Sequence, residues 1–337
     1  MLQSGDKKFW IGSGISLIFL LLLFRKIDFN QLTDAFRVMD IRYFLLAIVF
    51  VFISYYVRAI RWRYLLIPLK TCSMSNLFAS TIVGYMVNGL LPARLGELAR
   101  AYLLAKKENL EKGAVFASLV LDRLFDGFTV LLILLVTIFT LNLPSGSEIG
   151  QKALIIGGYV TLTLYLFVVI FIVFLRIRTE GALRVVSRIF TPFSHKVSAK
   201  LVRLLGSFIH GFHLSTKTSH LLALIVSSIV IWLLSIIPIY LILRAFGVFL
   251  PFTASMFILV LLVFAIMVPA SPGYIGTYHY ACFMALTAFN VADGKAMSIA
   301  LIIHAINFIP VIFAGFFYLW KSKLSLSTLQ AEPSGNL

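Results

Sequence analysis

The chain has 337 residues, 61% of them hydrophobic and 12% charged, with a formal net charge of +16. Soluble domains carry roughly twice that share of charge, so a water-soluble enzyme is excluded. The apolar residues instead fall in runs near the ~20 residues that cross the hydrocarbon layer as a helix. The basic residues lie mainly between those runs, which points to cytoplasmic loops facing an anionic leaflet and not to nucleic acid.

Lys7 and Lys8 precede the apolar run Phe9–Phe24. No small-residue cleavage pattern follows, so it reads as a retained first helix. Tyr43–Ala59 is a second membrane helix, and Arg58, Arg61, Trp62 and Arg63 at its end read as a basic-aromatic belt anchored at the interface. Cys72 and Cys282 stand in separate segments and indicate neither a disulfide framework nor a metal site.

The stretch Asn76–Leu104 is apolar but broken by Asn88, Pro92 and Gly96. Proline removes an amide donor and clashes with the preceding turn. Broken backbone at membrane depth is tolerated only where protein or a wet cavity satisfies it. Arg94 and Arg100 bring permanent charge and forked donors suited to phosphate oxygens. Glu97 is spaced to meet either arginine on a helix.

Ala114–Leu143 is the next membrane helix, and Asp122, Arg123 and Asp126 lie near its start. Two readings stand for them. The first turns protrude and leave the charges at the interface, or the charges are buried and Asp122 or Asp126 pairs with Arg94 or Arg100. Ala153–Leu175 follows, and then Arg176–Lys217, dense in Arg and Lys, which reads as a cytoplasmic segment of interfacial helices.

Leu221–Leu243 is a further membrane helix. A second broken stretch, Phe252–Val291, carries Pro269, Pro272, Gly273 and Gly276, a strong turn signal. His279 beside it suits either proton transfer, headgroup binding or a structural hydrogen bond. Ala296–Trp320 closes the series, with His304 and Asn307 placed as helix–helix glue. The tail 324–337 is polar and expected to be disordered.

The fold expected is all-α, a polytopic helical membrane protein with two re-entrant or broken hairpins, and residues 1–323 form one lipid-handling domain. Each half has a helix, a broken hairpin and a helix, and the charge pattern makes the hairpins enter from opposite faces, as in transporters built from inverted repeats. Both termini are then cytoplasmic. The charges Arg25, Lys26, Arg37 and Arg42 oppose that orientation, since they fall in a loop it places outside.

The runs NGLLPARLGELARAYLL, LVLDRLFDGF and PASPGYIG together resemble the lysylphosphatidylglycerol synthase transmembrane region family, over roughly Phe9 to Trp320. The resemblance implies a lipid-handling domain of a prokaryotic plasma membrane, which in two-part members accompanies an aminoacyl transferase domain. With the chain ending at Leu337, that domain is expected to be missing. Pro92, Arg94, Gly96, Glu97 and Arg100 match the first motif, Asp122, Arg123 and Asp126 the second, and Pro272, Gly273 and Gly276 the third. Many relatives carry Glu where this chain has His279.

The function expected is flippase-like movement of an anionic or phosphate-bearing lipid, without cofactor or metal. Arg94, Glu97, Arg100, Asp122, Arg123, Asp126 and His279 form the proposed binding set. One alternative is an intramembrane transferase on a lipid-linked substrate, with Glu97 or His279 as base. Another is a non-catalytic partner of a lipid-modifying enzyme.

Overall fold

The computed structural model describes residues 37–91, 95–141, 148–177, 179–191, 198–199, 202, 206, 217–267 and 272–321. The expected first helix Phe9–Phe24, Pro92, Arg94, Pro269, the basic residues Lys196, Lys200 and Arg203, and the polar tail lie outside them. Among the described residues there are ten α-helices and no strand.

The first half holds α1 (Ile41–Leu66), α2 (Met74–Leu90), α3 (Gly96–Glu108) and α4 (Lys112–Thr140). Next come α5 (Glu148–Ile177) and the short α6 (Thr179–Phe190). The second half holds α7 (Thr218–Ala245), α8 (Phe252–Met267), α9 (Thr277–Thr287) and α10 (Asp293–Lys321), with a single 3-10 turn at Pro272–Tyr274 between α8 and α9. Helix α1 outlasts the apolar run that signals it at both ends. Asp40 accepts from the Arg42 amide at 2.9 Å to start α1.

Helices α1, α7 and α10 are long and apolar enough to cross a membrane, and α8 is a shorter apolar helix. Large apolar side chains face outward, with Phe139 79% exposed and Phe167 68%. Water penalises such patches and lipid does not. The protein is therefore an all-α integral membrane protein.

Both breaks are real. Helix α2 stops at Leu90, and Leu91 is extended. Beyond the break Asn88 Oδ1 accepts from the Gly96 amide at 2.8 Å, so a side chain replaces the lost helical acceptor. Gly96 has no alternative, because a Cβ there would meet the Gly84 carbonyl and the Asn88 side chain. In the second half the chain turns through Gly273 (φ 68°) and Gly276 (φ 98°), conformations open to glycine.

The two halves pack by one rule. α1 packs on α7, α2 on α10 and α8 on α4, while the arms of each hairpin pack on each other. α1 and α7 are antiparallel: the Asp40 amide donates to the Ala245 carbonyl at one end, and Tyr64 meets His220 at the other. Since α1 leads into the first hairpin and α7 into the second, the two hairpin mouths sit at opposite ends of this central pair. The Pro272–Tyr274 turn packs against α2, so the second break meets the first hairpin in the interior.

Candidate functional site: a buried arginine–carboxylate network on a cavity

Helix α1 carries Arg58, Arg61 and Trp62 on one face, at a spacing of three and four. This overturns the interfacial belt: Arg61 and Trp62 are fully buried and Arg58 is 7% exposed. Helix α1 runs to Leu66, so its last turns lie inside the protein, and of the four belt residues Arg63 alone is exposed. Opposite stand Asp122 and Asp126 of α4, 0% and 6% exposed, so of the two readings of these acids burial holds.

Arg61 Nε donates to Asp122 Oδ1 at 2.8 Å, Nη2 to Asp126 Oδ1 at 2.8 Å, and Nη1 to Ser228 Oγ of α7 at 3.0 Å. Asp126 also receives Arg58 at 3.3 Å, Arg123 at 2.9 Å and the Trp232 indole N–H at 3.1 Å. Asp122 receives Arg100 Nη1 of α3 at 3.2 Å, and the Arg100 guanidinium lies 4.0 Å over the Trp62 ring. Glu97 pairs with Arg123 at 2.7 Å and not with an arginine of its own motif. Arg123 also donates to Tyr85 Oη at 3.2 Å.

Among the described residues, four guanidinium groups thus meet three carboxylates, one positive charge in excess. A buried charge is tolerated only when paired and hydrogen-bonded. Saturation of Asp122 and Asp126 is what allows four arginines to converge inside an apolar bundle.

A cavity of about 370 Å³ opens against this network. Arg58, Arg123, Glu97, Tyr85 and Asn88 line its charged side, and Leu259, Leu262, Val263, Ile266 and Ile312 line its apolar side. Its size lies in the range of small-molecule sites. Both halves build it in matching register. Arg58 and Ser235 are each the eighteenth residue of their helices, Tyr55 and Trp232 each the fifteenth. Glu97 and Tyr278 are each the second residue of their hairpin's second arm. Asp126 and Asn307 are each the fifteenth of α4 and α10. At three of these four positions the first half contributes charge where the second contributes a neutral polar or aromatic group.

Of the residues singled out from sequence, Glu97, Arg100, Asp122, Arg123 and Asp126 come together, and Asn88 and Gly96 shape the break beside them. Glu97, Arg123 and Asn88 reach the cavity, whereas Arg100, Asp122 and Asp126 sit behind its wall. His279 stands apart, its ring 4.6 Å from that of His304. His304 Nε2 lies 2.8 Å from the Gly273 carbonyl and Asn307 Nδ2 lies 3.5 Å from Tyr278 Oη, so both join α10 to the second hairpin. Sequence reasoning missed Arg58, Arg61, Tyr85 and Trp232. The signal for the first two was their i, i+3 spacing, obscured by Arg63 beside them.

The profile described as "Lysylphosphatidylglycerol synthase TM region" matches residues 9–315. A UPF0104 membrane protein of Methanothermobacter thermautotrophicus is 29% identical over 260 residues, 73% of this chain and 75% of that one. A UPF0104 membrane protein of Pyrococcus horikoshii is 26% identical over 336 residues, 94% of this chain and 97% of that one. Glycosyltransferase AglD of Haloferax volcanii is 24% identical over 313 residues, 86% of this chain and 50% of that protein. No solved structure matches. The matched span takes in α1 to α9 with both breaks, every residue of the buried network and most of α10, and the chain belongs to the lysylphosphatidylglycerol synthase transmembrane region family.

Proposed function

We propose that this protein translocates a phosphate-bearing lipid between leaflets, with the headgroup in the cavity and the tail left in the bilayer. The observation that carries this is the polarity of the cavity: guanidinium groups of Arg58 and Arg123 on one side, branched aliphatic side chains on the other. Arginine presents planar paired donors that match phosphate oxygens. The buried carboxylate of Asp126 holds both arginines in place, while Asp122 holds Arg61 and Arg100 behind them. The hairpins enter the membrane from opposite faces, and their broken arms are the elements that alternate exposure of the site.

The test is leaflet exchange of labelled phosphatidylglycerol in vesicles holding the purified protein. Arg58→Lys and Arg123→Lys each keep one charge and lose the paired donors. A hydrogen bond to a charged group contributes about 1.5–3 kcal/mol, so each variant should bind the lipid roughly tenfold to a hundredfold more weakly. Parental exchange by both folded variants would remove the cavity from the mechanism.

A second reading comes from the similarity to glycosyltransferase AglD of Haloferax volcanii, of which this chain matches half. There the membrane domain would serve a transferase acting on a lipid-linked substrate. A change in lipid mass in the same vesicles would favour that reading, and unchanged lipid on the opposite leaflet favours transport.

A further inference from the structure

The three carboxylates of the network are not equivalent. Asp122 and Asp126 are buried, and both oxygens of each are engaged by arginines from more than one helix. Glu97 is different. Its Oε1 takes Arg123 Nη2 at 2.7 Å, while Oε2 has no hydrogen-bond partner among the described residues. Its side chain is 24% exposed and that of Arg123 40%, and both line the cavity.

The difference in setting decides which pair can open. Buried pairs are costly to break, since a lone charge is left behind, whereas pairs open to a polar space are weak. Glu97–Arg123 is the one pair of the network with both side chains on the cavity wall. When Glu97 leaves, Arg123 is not left alone, because Asp126 keeps its Nη1 at 2.9 Å and Tyr85 its Nη2 at 3.2 Å.

A phosphate reaching Arg123 and Arg58 must come within a few ångströms of the Glu97 carboxylate. Two negative charges a few ångströms apart repel more strongly in such a site than in bulk water. Phosphate and Glu97 are therefore rivals for one guanidinium. We infer that Glu97 is a displaceable counterion: the lipid phosphate takes its place on Arg123, and its return expels the phosphate. This rests on the transport reading above and assigns Glu97 as the residue that sets affinity and release.

The position of Glu97 gives the exchange a mechanical consequence. It is the second residue of α3, directly after the first break, whereas Arg123 belongs to α4. The pair is one tie between the second arm of the hairpin and the bundle, and the buried Arg100–Asp122 pair is another. Phosphate binding releases the first and leaves the second, so occupancy of the site loosens the start of the arm.

The experiment measures equilibrium binding of phosphatidylglycerol, and of glycerol phosphate in parallel, to the full chain in detergent. The parent is compared with Glu97→Gln and Glu97→Asp, each beside a melting curve. Glu97→Gln removes the rival charge and should bind phosphatidylglycerol at least tenfold more tightly, while leaflet exchange slows because nothing expels the bound phosphate. Glu97→Asp keeps the charge on a shorter arm and should fall between the two; if Glu97→Gln does not fold, Asp binding no tighter than the parent overturns the inference. Folded Glu97→Gln that binds no tighter than the parent also overturns it, and leaves the transport reading standing. A parent that binds no phosphatidylglycerol overturns both. The lipid should bind at least tenfold tighter than glycerol phosphate, and parity would reassign the site to a soluble anion and overturn the lipid reading.

Discussion

At the scale of single residues, the cluster separates groups that hold the fold from groups that face the cavity. Asp122 is fully buried between Arg61 and Arg100, which approach to 2.8 and 3.2 Å. Asp122→Asn keeps the shape and removes the charge, leaving two guanidiniums without their shared counterion. The expected loss is about 3–5 kcal/mol, read as reversible unfolding in mixed micelles. Glu97→Gln breaks a pair open to the cavity and should lose about 1 kcal/mol or less. Equal losses would mean that Glu97 is as structural as Asp122. Asp122, Arg123, Asp126, Glu97 and Arg100 were legible in the sequence because charges inside apolar runs demand partners. Arg58 and Arg61 were not. A basic group near the end of a hydrophobic run has the same local sequence whether it faces headgroups or a carboxylate two helices away. The partner, 61 or more residues distant, decides.

At the scale of elements, the first hairpin is clamped at its mouth by Glu108, the last residue of α3. Its carboxylate accepts from the Ser73 amide at 3.0 Å and Asn76 Nδ2 at 2.8 Å, and pairs with Lys70 at 3.2 Å. It lies beyond the candidate spans. Burial alone would raise this carboxyl, but the bonds from Asn76, Ser73 and Lys70 outweigh it and hold the carboxyl below its ordinary value. A lowered folded value means that the clamp stabilises fully above the ordinary carboxylate range and is lost as the pH falls through the folded value. Glu108→Gln should thus lower melting at neutral pH and flatten the decline on the acid side. A parallel downward shift at all pH values would remove Glu108 as the titrating group. The breaks themselves were legible, because Pro and Gly in a membrane-depth run have few other uses. The direction of Glu97 was not: it turns toward Arg123 on α4, since the broken backbone and the Asn88–Gly96 bond set the start of α3 in a way that helical spacing within one motif does not convey.

At the scale of the whole molecule, the halves share element order, packing and cavity register while their side chains have diverged. Asp126 stands where Asn307 stands in the other half, and Arg58 where Ser235 stands. Such a pair of halves is hard to find by comparing letters, because the polar identities differ and the apolar ones are interchangeable in lipid. Spacing preserves it, since helix lengths must match the same membrane thickness. The divergence also has a chemical logic. A site with arginines from both halves would hold too many uncompensated charges in one cavity. One charged wall and one apolar wall instead give a headgroup and a chain different places to lie.

The antiparallel pairing of α1 and α7 places the two hairpin mouths at opposite ends of the bundle. If that pair spans the bilayer, the connection after α3 and the connection before α10 must face opposite compartments. From the basic character of the segments around the first mouth we propose that it faces the cytoplasm. Glu111 is exposed beside the first mouth and Ala292 beside the second. The native Cys72 and Cys282 are buried, so they give little background labelling. An impermeant thiol reagent applied to intact cells should label Ala292→Cys at once and Glu111→Cys only after lysis. The reversed pattern would keep the inverted arrangement and turn the protein over in the membrane. Labelling of both positions from one side would mean that α1 and α7 do not both cross the bilayer, and the two breaks could not then serve as gates to opposite faces.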